Sequence, residues 1–216
     1  EVVDLVVSKN VRVAARGSGA GSVINYLLGI SGVDPLAHGL LMERFLSTLR
    51  KELPDIDIDV EAARRLEIYD WIFERFGDKR VACVSMMETY RVRHAIRDTG
   101  AAFGLPADEI DAFAKAFPHI RARNVRAALE DLPELKRSRF GVMAADGKLD
   151  EFLARVEALD GLPRHVAMHP CGVLLSDVSL LDRTPVQPSN AGYPMSQFDK
   201  DDMDPMGLLK LDVLGV

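Results

Sequence analysis

From Pro54 to Asp59 the chain reads Pro-Asp-Ile-Asp-Ile-Asp. Carboxylate and isoleucine alternate at period two, the side-chain period of a β-strand. A strand here sends Asp55, Asp57 and Asp59 to one face and Ile56 and Ile58 to the other. Same-face neighbours on a strand stand roughly 6.5–7 Å apart. Carboxylates that close raise one another's pKa unless a cation lies between them. The isoleucine face therefore needs a core, and the acid face needs either water or a cation. Hard oxygen ligands suit Mg²⁺ or Mn²⁺. The plainer alternative is an edge strand with a solvated acidic face, which also discourages edge-to-edge pairing.

The remaining composition narrows the class. At 216 residues and 48% hydrophobic, the chain can fill one large core or two smaller ones. A net charge of −6 argues against wholesale electrostatic binding of nucleic acid, though not against a local basic face. Cys83 and Cys171 form neither a disulfide framework nor a zinc pattern, so a reducing compartment, the cytoplasm, is expected. No apolar run reaches the ~18 residues of a membrane span, and no leader peptide is evident, so no membrane partner is expected. The chain starts inside the amphipathic run Val2-Val3-Asp4-Leu5-Val6 and stops just after an apolar segment, so it is expected to be a piece of a longer protein.

Residues 2–9 read as the end of a helix, and Val11 to Ala15 as a short strand. Arg16-Gly17-Ser18-Gly19-Ala20-Gly21-Ser22 follows, then an apolar helix from Val23 to Leu28. Strand, glycine-rich turn and helix can aim backbone N–H groups at an anion. The turn lacks a P-loop lysine and the dinucleotide fingerprint spacing, so an ordinary flexible connection also fits. Asp34-Pro35 reads as a helix start, continued through Leu40 to Leu46 with Arg44 among apolar neighbours. Residues 61–76 read as a helix with Ala62, Leu66, Tyr69, Ile72, Phe73 and Phe76 on one side, stopped by Gly77, with Trp71 as a core residue. Val81 to Val84 reads as a strand containing a buried Cys83.

From Met86 the character changes. Residues 86–141 carry ten Lys or Arg against eight Asp or Glu, a balance of +2 in a chain that is −6. Helical patterns run from Tyr90 to Phe103, Asp108 to Phe117 and Val125 to Leu129. An inserted helical subdomain is expected, ending near Leu162. Arg91, Arg93, Arg97, Arg121 and Arg123 are candidate contacts to a nucleic-acid backbone, or members of a solvated helix face. Beyond Pro163 short strands return. His165 and His169 are candidate ligands or bases, though each reads first as a hydrogen-bonded structural residue. The last run, Gly207 to Leu214, puts Lys210 and Asp212 on one strand face and Leu209, Leu211 and Val213 on the other.

In this order the motifs resemble the bacterial C-family DNA polymerases, the alpha subunit of DNA polymerase III. The residues that carry the resemblance are Arg16 to Ser22, Asp34-Pro35, Glu43-Arg44-Phe45-Leu46, Pro54 to Asp59, Ala95-Ile96-Arg97-Asp98, Gln197-Phe198-Asp199-Lys200 and Lys210 to Gly215. The resemblance implies an α/β (α+β) fold: a nucleotidyltransferase-like palm with a mixed sheet over 1–85 and 164–216, interrupted by a helical thumb over 86–163. It places the catalytic, metal-binding carboxylates at Asp55, Asp57 and Asp212. It places nucleotide-binding residues at Gly17, Ser18, Arg44 and Lys210. It implies two Mg²⁺ ions (Mn²⁺ possible), a primer-template DNA and a dNTP, and for the full-length protein a sliding clamp and accessory repair factors. Two departures, Met87-Glu88-Thr89 where the family has Gly-Thr and Met168-His169-Pro170 where it has Lys-His-Ala, resemble the error-prone second alpha subunit of damage tolerance. A segment without its flanking domains is not expected to polymerise. The rival readings are a metal-dependent nuclease or phosphodiesterase, and a non-catalytic nucleic-acid-binding module.

Overall fold

The structure is a computed structural model that describes residues 1–41 and 55–216. The expected helix through Leu46, with Arg44, and the opening proline of the acid motif fall at least partly outside the described residues. In chain order the elements are α1 (Val2–Ser8), β1 (Val13–Arg16), α2 (Val23–Leu27), β2 (Asp57–Val60), α3 (Arg65–Phe76) and β3 (Val81–Thr89). Six helices follow: α4 (Val92–Ala102), α5 (Ala107–Ala116), α6 (Val125–Asp131), α7 (Pro133–Lys136), α8 (Arg139–Ala145) and α9 (Asp150–Ala158). The chain closes with β4 (Pro163–Leu175), α10 (Leu180–Arg183), β5 (Val186–Pro188), β6 (Pro194–Asp199) and β7 (Leu209–Gly215). It divides into two compact units, Glu1–Met86 with Val166–Val216, and Met87–His165.

The first unit is built on a mixed α/β sheet of seven strands in the order β1-β2-β7-β4-β3-β6-β5. β2 pairs parallel to β7 and β3 parallel to β6, while β1/β2, β4/β7 and β5/β6 are antiparallel. One core joins Val3 and Val6 of α1 and Ile68, Tyr69 and Ile72 of α3 to Ile58, Val60, Val81, Cys83, Val173 and Val213. A second joins Ala82, Val84 and Leu174 to Leu180, Met203 and Leu208. The two sets of strand residues alternate, so β3 is covered on both faces and its first five residues are all buried. Burial pushes the Cys83 thiol up to about 12.

The helix expected over 61–76 begins as a 3₁₀ turn at Ala62–Arg64 and becomes α3. Gly77, at φ +82°, ends it. The buried stripe is Ile68, Tyr69 and Ile72, at helical i, i+1, i+4 spacing, whereas Leu66 is 46% exposed. Trp71 packs against this core, with Lys9 and Arg64 over its ring at 5.5 and 5.4 Å. Leu209, expected on the apolar face of β7, is 66% exposed, because the strand's first residue lies beyond the core that buries Val213. Asp34 does not start a helix among the described residues. Its Oδ1 accepts the N–H groups of Leu36 (2.9 Å) and Ala37 (3.2 Å), and the chain turns through Gly39 at φ +59°.

The second unit is helical. Its core gathers Ile96, Phe113, Phe117, Leu129 and Leu153 from α4, α5, α6 and α9, and Phe113 stacks on Phe140 with ring centroids 3.9 Å apart. In the first unit, Ile72 is fully buried between α3 and the sheet. Ile72→Ala is expected to cost about 3 kcal/mol, through lost burial and the cavity left behind. Urea unfolding of the variant checks this.

Candidate functional site

The acid-bearing strand sits one place inside the sheet edge. β1 covers one side and β7 the other, so the register sets up a row across four strands. Arg16 is opposite Asp57, Asp57 opposite Asp212, and Asp212 opposite Gly172. Ile58, Val60 and Val213, on alternate positions, fill the core beneath. The acids therefore hold their face because the apolar residues between them are buried on the other.

Asp57 and Asp212, far apart in sequence, are thus direct neighbours on parallel strands. The Asp57 carboxyl is held above its ordinary value, first by burial and then by the charges of Asp212 and Asp55, against the opposing pull of Arg16 and Lys210. Lys210 reaches along its own strand, its Nζ 2.5 Å from Asp212 Oδ2. The other carboxylate oxygen, Asp212 Oδ1, is buried without a hydrogen-bond partner among the described residues. Arg16 Nη2 lies 3.1 Å from Asp59 Oδ1, the next acid along β2.

Asp55 precedes β2 and is wrapped by the glycine-serine turn. Ser18 donates to Asp55 Oδ1 through its hydroxyl (2.5 Å) and its backbone N–H (3.1 Å). The Asp55 N–H donates back to Ser18 Oγ at 3.2 Å, and the Gly19 N–H to the Asp55 carbonyl at 2.8 Å. Gly17 adopts φ +92°, and a Cβ there would stand 2.7 Å from the Asp55 carbonyl oxygen. Only glycine permits so close an approach. The turn aims one N–H, that of Ser18, at an anion, the carboxylate of Asp55, while the Gly19 N–H goes to a neutral carbonyl.

An oxygen-seeking cation fits this chemistry. Two carboxylates face each other across neighbouring strands, the Asp57 carboxyl is held above its ordinary pKa by burial and then by the charge of Asp212, and Asp212 Oδ1 has no donor among the described residues. Among the described residues, however, no three His, Cys, Asp or Glu side chains stand gathered around one point. Asp55 is turned to Ser18, and Asp212 to Lys210.

The candidate arginines lie in the second unit and differ in their engagement. Arg121 donates three bonds of 2.8–3.1 Å to Asp160, which also accepts the Ala122 N–H. These bonds, that to Arg121 foremost, hold the Asp160 carboxyl below its ordinary value. Arg97 pairs with Asp111 at 2.9 Å. Arg93 donates to the Phe117 carbonyl at 2.8 Å and lies 3.3 Å from His119. Arg123, 3.7 Å from Asp160, and Arg91 are exposed. Glu88 is held between His94 (2.9 Å) and His165 (3.1 Å). Sequence reasoning did not single out Arg16 as a neighbour of the acids, although it directly precedes the glycine turn.

Fold and site together define an α/β domain with an acidic row on a mixed sheet and a helical insertion between β3 and β4. Residues 1–215 match the family described as the bacterial DNA polymerase III alpha NTPase domain, and the chain belongs to that family. It is 37% identical over its whole length to an error-prone DNA polymerase of Anaeromyxobacter dehalogenans, of which it covers 19%. It is 38% identical, again over its whole length, to an error-prone DNA polymerase of Pseudomonas savastanoi pv. phaseolicola, of which it covers 20%. It is 36% identical over 93% of its length to DNA polymerase III subunit alpha of Bacillus subtilis, covering 18% of that protein. The chain thus spans about a fifth of the length of these relatives.

A raised native pKa makes Asp57 a source of stability only when protonated. That contribution is full below the unfolded carboxylate pKa and is lost as pH rises through the native value. At neutral pH the charged group therefore costs stability. Asp57→Asn is expected to raise the melting temperature by a few degrees at pH 7 in EDTA, and the gain is expected to shrink as pH falls toward 4. Calorimetric scans of both proteins across that range check it.

Proposed function

We propose that the protein carrying this chain is a DNA-directed DNA polymerase that adds dNMP units to a primer 3′-hydroxyl by two-metal-ion nucleotidyl transfer. The observation that carries the reading is the Asp57–Asp212 pair, opposed on parallel strands with one buried oxygen unpartnered. Membership of the family, and polymerase names on relatives matched over the whole chain, support it. On this reading the first unit is the palm and the second the thumb.

Asp55, Asp57 and Asp212 would hold two Mg²⁺ ions, with Mn²⁺ as a substitute. Bound there, the ions would supply the Lewis acidity that lowers the pKa of the primer hydroxyl and steadies charge on the triphosphate. The residues do the rest. Lys210, now the counter-charge of Asp212, would exchange that carboxylate for a nucleotide phosphate. The Ser18 hydroxyl and N–H and the Gly17 turn, now given to Asp55, offer the same donors to phosphate oxygens. Arg44, outside the described residues, would add a guanidinium fork. In the second unit the exposed Arg91 and Arg123 are the readiest contacts to template-primer phosphates. Arg93, Arg97 and Arg121 would first have to leave their internal partners. Error-prone translesion synthesis, a cytoplasmic setting, and engagement of a sliding clamp and repair factors belong to the same proposal for the full-length protein.

Asp57→Ala or Asp212→Ala in the full-length protein is expected to lower primer extension by about 10³-fold or more while template-primer affinity stays within about threefold. Extension assays with Mg²⁺ and dNTPs, run beside fluorescence-anisotropy binding, check this. Products that shorten instead of lengthening would establish a nuclease. Calorimetry showing no Mn²⁺ affinity in the wild type would leave a non-catalytic nucleic-acid-binding module.

A further inference from the structure

The row of site residues does not end at Asp212. Its partner on β4 is Gly172, which has no side chain to contribute. The space that residue leaves is taken by His169. A Cβ on Gly172 would stand 3.2 Å from His169 Nδ1 and 2.9 Å from Val84 Cβ. The imidazole is fixed there by the chain it belongs to. Its Nδ1 accepts the backbone N–H of Cys171 (3.3 Å) and of Gly172 (3.0 Å). An acceptor at Nδ1 puts the ring proton on Nε2. The ring is half-buried, and the charges around it are Asp212, Lys210, Lys200 and Asp201. Burial, with the two lysines, outweighs the carboxylates and holds its pKa below the ordinary value.

We infer that His169 is a further substrate-binding residue of the site, offering its Nε2–H to an anionic phosphate oxygen of the nucleotide beside Asp212 and Lys210. This rests on the nucleotidyl-transfer reading above. With Nδ1 accepting from the backbone, the Nε2–H is left to donate a hydrogen bond to an anion. Gly172 makes the arrangement possible, since any side chain on it would collide with the ring or with Val84.

Two substitutions in the full-length protein separate this role from a purely structural one. H169N keeps an acceptor near the Nδ1 position and removes the Nε2 donor. H169Q keeps a donor near the Nε2 position and removes the acceptor that pins Cys171 and Gly172. The readouts are KM for dNTP in primer extension and, independent of chemistry, Kd for the next dNTP on a dideoxy-terminated primer-template. H169N is expected to raise both about tenfold, the worth of a hydrogen bond to a charged group, with H169Q within about threefold of wild type. H169N within about twofold of wild type, or H169Q as impaired as H169N or more so, overturns the inference while wild-type extension leaves the nucleotidyl-transfer reading standing. A wild-type protein that does not extend primers overturns that reading and the inference with it.

Discussion

The structure turns on the repulsion between Asp57 and Asp212. Parallel pairing of β2 with β7 sets these carboxylates side by side, and the hydrophobic core beneath prevents any other register. A slip of one residue would drive Asp57 and Asp59 into the core and turn Ile58 and Val60 out. The apolar residues between the acids thus hold them in an arrangement that electrostatics alone would disperse. The energy comes from burial of Ile58, Val60 and Val213, and part of it is stored as a raised Asp57 pKa and an unpartnered Asp212 oxygen. An imbalance of this kind is what makes the pair a candidate site for a positive charge.

The neighbouring groups meet that imbalance provisionally. Lys210 takes one oxygen of Asp212, Ser18 takes one of Asp55, and Arg16 takes one of Asp59. Each of these donors belongs chemically to phosphate as readily as to carboxylate. In this arrangement the protein's own acids engage the nearby donors. The close approach of Gly17 to Asp55 and that of Gly172 to His169 show how much of this depends on absent side chains.

The period-two alternation of acid and isoleucine made β2 legible in the sequence, because burying one face leaves a strand little choice. The strand starts at Asp57 and not at Asp55, because Ser18 takes both the backbone N–H and the carboxylate of Asp55. Helix α3 was legible from its spacing and its glycine stop. Its inward face was displaced from Leu66, since Ile68, Tyr69 and Ile72 are buried, with Trp71, Phe73 and Phe76 packed beside them. The Asp34-Pro35 pair carried a helix-start signal, but Leu36 and Leu41 are exposed, so among the described residues the turn from Asp34 to Leu40 buries no apolar stripe that would favour a helix there. Long-range partnership was not legible at all. Nothing in the string announces that Arg121 meets Asp160, or that Glu88 lies between His94 and His165. Period and propensity are local, while ion pairing depends on contacts that only the fold creates.

That distinction alters how charge is read as function. By count, residues 86–141 look like the place for a polyanion, with ten Lys or Arg against eight Asp or Glu, although over the whole second unit the two charges balance. In the structure Arg97 and Arg121 have their charge matched by Asp111 and Asp160, and Arg93 caps a carbonyl. In the first unit, Asp57 and Asp212 lie against each other and are only partly compensated by Arg16 and Lys210. A matched charge helps hold a fold and is costly to withdraw. An unmatched one costs stability until something binds. The partly compensated carboxylates of the row across β1, β2, β7 and β4 are therefore a firmer pointer to chemistry than the more numerous arginines of the helical insertion.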